Sequence, residues 1–135
     1  MNINSNLLML MLDEVKTSLL SSSIPVDERG IRFYDSSDIL LGKFAFDDIQ
    51  SVAGPEIRYG FKVNGSWSLK SSVITSGTVD NFKITGDYYN GITHEIIDGI
   101  IKGSAGSLGS DIRFNNVNWT VNSIITLNSL YFYIK

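Results

Sequence analysis

The chain has 135 residues, of which 43% are hydrophobic and 11% aromatic, enough apolar surface for one core in a single domain spanning 1–135. Its formal charge is −3, from 11 basic and 14 acidic residues, and with Lys and Arg scattered along the sequence no nucleic acid partner is expected. With no cysteine and a single histidine, His94, disulfide frameworks, thiolate metal sites, cysteine nucleophiles and ordinary zinc centres are excluded.

In chain order, the first predicted element is a helix over residues 5–20, within a leading segment 1–23. Ser5 or Asn6 can cap it, and Leu8, Met11, Leu12, Val15 and Leu19 recur at helical spacing as a core-facing stripe. Leu7, Met9, Leu10 and Leu20 widen the apolar surface beyond that stripe, so a second surface is expected to be covered by a partner. The apolar run Leu7 to Leu12 is far shorter than the roughly 20 residues of a membrane span. No Lys or Arg precedes Lys16, and Asp13 and Glu14 interrupt early, so neither a secretory signal nor membrane association is expected.

After a loop marked by Pro25 and Gly30, residues 30–135 read as a β-domain. Strand-like runs are "IRFYD" (31–35), "ILLGKFAF" (39–46), "EIRYGFKV" (56–63), "SWSLKSSVIT" (66–75), "GTVDNFKITG" (77–86), "EIIDGIIKG" (95–103), "SDIRFN" (110–115) and "IITLNSLYFYIK" (124–135). Turn chemistry separates them: "DSSD" (35–38), "DDIQSVAGP" (47–55), Asn64-Gly65, Asn90-Gly91 and the glycine-rich "KGSAGSLGSDIRF" (102–114). In the last run Ile125 and Leu127 fall out of phase with Leu130, Phe132 and Ile134, which predicts a β-bulge at Asn128-Ser129. The expected fold is mainly β: an antiparallel β-sandwich or compact barrel of about eight strands with one N-terminal α-helix.

Four groups of residues invite a chemical reading. Gly103, Gly106 and Gly109 resemble a phosphate loop, but no helix follows them and no G-K-[ST] occurs, so they read as a turn, with a β-hairpin tip the natural form. His94 and Glu95 point to opposite faces of a strand and cannot act together. The acids Asp13-Glu14, Asp27-Glu28, Asp47-Asp48 and Asp35 with Asp38 do not match the EF-hand spacing and read as solvated turn residues, with "DSSD" the least implausible calcium loop. Trp67, Trp119, Tyr59, Tyr88 and Tyr89 could make a sugar-stacking platform; Trp67 alternates with Leu69 as a core residue does, and Tyr88-Tyr89, beside a turn, is the better surface pair. No catalytic residue, cofactor or metal ligand is expected, and the chain does not read as an enzyme.

The succession of motifs resembles a family of small virion-associated structural proteins of tailed bacteriophages. The resemblance rests on "LMLMLDEVKTSLL" as a Leu-rich helix with an L-x-x-x-L-D core, "IRFYD", "LLGKFAF", "GTVDNFK", the turn "DGIIKGSAG" and a closing "SDIRFNN…SIITLNSLYFYI". It runs in order over nearly the whole chain. Asn81 stands where members often carry an aromatic residue and Asn122 where glycine is customary. The resemblance implies a non-enzymatic virion protein, made in the host cytoplasm. Such a protein assembles on the capsid, as a decoration or cement-like protein, or at the head–tail region. Its partners would be other virion proteins of the capsid, portal, neck or tail, and it would be a homo-oligomer. The expected interface residues are Leu7, Met9, Leu10, Leu20, Tyr88 and Tyr89. A carbohydrate-binding accessory module using exposed aromatics is the alternative. On the resemblance, Asp98-Gly99 and Gly103 to Gly109 would form a structural turn between strands.

Overall fold

The computed structural model describes residues 5–25, 28–45, 48–54, 58–64, 73–89, 94–125 and 130–134. The chain is mainly β: one short N-terminal helix, and strands that form a mixed, strongly curled half-barrel and a separate two-stranded ribbon. Helix α1 (Ser5–Leu19) is followed by β1 (Gly30–Tyr34), β2 (Leu40–Ala45), β3 (Asp48–Gly54), β4 (Arg58–Asn64), β5 (Gly77–Thr78), β6 (Asn81–Tyr89), β7 (His94–Gly106), β8 (Ile112–Arg113), β9 (Asn118–Trp119) and β10 (Leu130–Ile134). Hydrogen bonding orders them as β2-β1-β6-β7-β8, β10-β4-β3 and β5-β9.

Alternation along the strands selects one face of the five-stranded sheet as the core. Register places Phe44 opposite Ile31, Ile31 opposite Ile84 and Ile84 opposite Ile101, so one apolar row crosses four strands. Phe33 is fully buried at the centre. Its ring meets Phe44 at 5.2 Å, Phe114 at 5.2 Å and Trp119 at 5.5 Å, each near edge-to-face, the arrangement that ring quadrupoles favour. The Trp119 indole N–H donates to the Asn116 carbonyl at 3.0 Å, which satisfies its buried polar edge.

Helix α1 packs against β6 of the five-stranded sheet and against β3 and β4 of the three-stranded one. A helix lying along two sheets needs a wider apolar stripe than one sheet would require, which accounts for part of the breadth seen in its sequence. Leu19 is fully buried, and Val15 and Leu20 pack partly buried against the same cluster. Met11 departs from the expected core stripe: it is 45% exposed. The helix exit is held by Arg29, which donates to the carbonyls of Ser21 at 2.9 Å and Ile24 at 3.1 Å, and by the Ser21 hydroxyl, which donates to buried Asp87 at 2.6 Å.

Several boundaries differ from the sequence reading. Asp48–Gly54, expected as a turn, is strand β3, paired in continuous register with β4 from Asp48↔Asn64 to Gly54↔Arg58. The expected single strand 77–86 breaks at Val79-Asp80. There the Val79 amide donates to Val117 and the Asp80 amide to Tyr34, sending β5 to the ribbon and β6 to the main sheet. Asp98-Gly99 is a bulge inside β7, not a turn between strands. Ile84 pairs with Ile101 and Gly86 with Ile97, so three residues of β7 face the single Thr85, and Gly99 takes φ 78°.

The glycine loop is not an antiparallel hairpin tip. Strand β7 continues through Gly103 and Gly106, and the chain folds back so that Ala105 and Gly106 pair in parallel with Ile112 and Arg113. The Asp111 carboxylate accepts from the Ser104 amide at 2.9 Å while the Ser104 hydroxyl accepts from the Asp111 amide at 2.9 Å, which closes the loop. Asn122 has φ 68°, and asparagine is among the few non-glycine residues that adopt this conformation readily. The bulge expected at Asn128-Ser129 and the strand reading for Ser66 to Ser72, with Trp67 and Leu69, lie outside the described residues.

Candidate functional site

Of the residues that invited a chemical reading, Asp35 and Trp119 have structural roles. In the "DSSD" loop the Asp35 carboxylate accepts the amides of Ser37 at 2.8 Å and Ile39 at 2.9 Å, so it caps its own turn. Asp38, at φ 60°, turns toward Lys83, 3.9 Å away. Among the described residues no cluster of three or more acids and histidines could hold a metal. His94 and Glu95 pair in register with Tyr89 and Tyr88 as successive residues of β7. Trp119 is buried in the aromatic core, which removes it from any sugar platform. Beside the glycine loop an open depression is lined by Ser107, Leu108, Arg113, Phe114 and Asn115, and no helix begins there to hold an anion.

The expected interface residues separate. Leu10 is 65% exposed. Leu20 instead packs at the margin of the core, since the chain turns there toward buried Ile24. The side chains of Leu7, Met9, Tyr88 and Tyr89 lie outside the described set. On α1 the exposed residues Leu10, Met11, Asp13, Glu14 and Thr17 fall, at 100° per residue, within one arc of roughly 160°. That arc carries two large apolar side chains and two carboxylates and no cation.

A second surface was not legible in the sequence. Register places Lys43 opposite Arg32, Arg32 opposite Lys83 and Lys83 opposite Lys102, so four cations form one row across β2, β1, β6 and β7 on the face away from the aromatic core. At the usual strand spacing the row is roughly 14 Å long. Like charges directly opposite one another in a sheet cost about 0.2–1 kcal/mol per pair. The centre of the row is compensated: Arg32 bonds Glu28 at 3.1 Å and Asp98 at 3.2 Å, and the Lys83 ammonium lies over the Tyr34 ring at 4.8 Å. Asp98 also accepts from the Thr85 hydroxyl at 3.1 Å, which ties the β7 bulge to the same network. Lys43 and Lys102, at the two ends, make no ion pair among the described residues.

The only signal that could have exposed this row in advance is strand register, since the four residues are separated by many positions in sequence. Comparison with protein-family models, with curated proteins and with solved structures finds no match for the chain.

Proposed function

We propose that the chain is a non-enzymatic bacteriophage virion protein that assembles, as a homo-oligomer, on the capsid or at the head–tail region through protein–protein contacts. The ordered resemblance of its motifs is the ground for the phage assignment. The observation that carries the assembly role is the solvent-facing arc of α1, where Leu10 and Met11 are exposed by 65% and 45% on a helix that the fold already anchors through Leu19. Large exposed apolar side chains grouped on one element mark partner surfaces more often than catalytic ones. The carbohydrate-binding alternative loses Trp119, which is buried in the aromatic core.

Mass spectrometry of purified particles tests the reading. The chain should be present at a copy number that is a multiple of a capsid or tail symmetry. Its absence from particles made by cells that express it would refute the virion role.

A further inference from the structure

We infer that the cation row Lys43–Arg32–Lys83–Lys102 is the receiving surface for the acidic, apolar arc of α1 from a second copy of this chain. The two surfaces are complementary in charge and lie on different elements of one molecule. Contact between them is head-to-tail: the helix of each copy meets the sheet of the next, and such contacts close into rings or run on as filaments. This goes beyond the proposed function by naming both sides of the contact, and it stands whether or not the protein belongs to a virion.

Charge complementarity selects the occupant. At its ends the row presents the ammonium groups of Lys43 and Lys102, which make no ion pair among the described residues, with the carboxylates of Glu28, Asp98 and Asp38 interleaved near its centre. A nucleic acid backbone carries evenly spaced negative charge and would be repelled by those interleaved carboxylates. A folded partner with a few carboxylates at fixed positions can meet the end lysines and avoid the acids. The exposed arc of α1 supplies Asp13 and Glu14 one turn from Leu10, with Glu14 also one turn from Met11. Apolar contact is available on the receiving side too. Ile96, in the part of β7 before the bulge, is 52% exposed, and Leu40, paired with Tyr34, lies half-buried beside the row. A contact of this kind is charged along the row with apolar side chains beside it, and such complementary charge fixes the register of two partners.

The test is sedimentation equilibrium of the full chain and of two charge-reversed variants, Lys43→Glu/Lys102→Glu on the sheet and Asp13→Lys/Glu14→Lys on the helix. Folding is checked by circular dichroism, and Lys43→Gln/Lys102→Gln replaces the sheet variant if reversal prevents folding. The wild type should self-associate, and less so as salt rises from about 0.05 to about 0.5 M. Each variant alone should associate at least about tenfold more weakly. Mixing the two reversed variants should restore association, because each then meets its opposite charge. Where the neutral variant must be used, restoration is not expected, and its own loss of association at low salt is the supporting result. A wild type that stays monomeric at about 1 mM overturns the inference, as does a sheet variant that associates like the wild type. A monomer that binds a single-stranded oligonucleotide through the row also overturns it, in favour of a nucleic acid ligand. A protein found in particles yet monomeric in solution would sink this contact while leaving the virion reading intact.

Discussion

The two faces of the five-stranded sheet are built by the same four strands and differ by one residue along each. Phe44, Ile31, Ile84 and Ile101 form the inner row; Lys43, Arg32, Lys83 and Lys102 form the outer one. On the inner face every neighbour helps its neighbour, since apolar side chains in register exclude water together. Neighbours on the outer face repel, and among the described residues the middle of the row is neutralised, by Glu28, Asp98 and Asp38. The contrast separates what folding requires from what it merely tolerates. A sheet needs its inner row to exist, whereas an outer row of like charges persists at a small cost to stability and so points to a role outside the fold.

The largest effect should come from the inner face. Phe33→Ala removes the ring on which Phe44, Phe114 and Trp119 converge and should cost about 3–5 kcal/mol in chemical denaturation. A loss below about 1 kcal/mol would mean that the aromatic cluster is not the centre of the core, and the comparison of faces would break.

Gly30→Ala should come next. A Cβ at Gly30 meets the backbone carbonyl of Phe44, which cannot rotate away as a side chain can, so β1 must shift against β2. A loss of about 1–3 kcal/mol is expected, readable in the same denaturation series. No loss would show that the β1–β2 register, on which both rows depend, is looser than described.

Arg32→Met should cost less, about 0.5–1 kcal/mol. Its partners Glu28 and Asp98 are half exposed, so solvent screens much of each ion pair, and the methionine keeps part of the stem's packing. About half of the loss should vanish in high salt. A salt-independent loss of several kcal/mol would instead make Arg32 a packing residue and blur the line between the faces.

The sequence made part of this legible. Helix α1 shows in the spacing of Val15 and Leu19, and alternation marks β1, β2 and much of β6 and β7. Strand β3 was hidden because "DDIQSVAGP" opens on two acids and closes on Gly-Pro, the same chemistry as a turn. The strand reading of 95–103 holds as part of β7, while the turn that the resemblance implies at Asp98-Gly99 is a bulge, told apart by the pairing on either side at Ile97 and Ile101. Half of the candidate interface was legible, since exposed Leu10 follows from an over-wide helix stripe. The cation row was not: Arg32, Lys43, Lys83 and Lys102 look scattered along the chain and meet only through strand register.

The smallest expected effect on stability tests the central claim most directly. Lys43→Gln/Lys102→Gln removes the two end charges of the row, which have no ion pair among the described residues. Denaturation and sedimentation should be measured on the same preparation at low salt. The account predicts stability unchanged or raised by a few tenths of a kcal/mol, about the relief of two like-charge contacts, together with loss of self-association. A fall in stability of more than about 1 kcal/mol with association unchanged would contradict it, because the row would then belong to the fold and not to a partner.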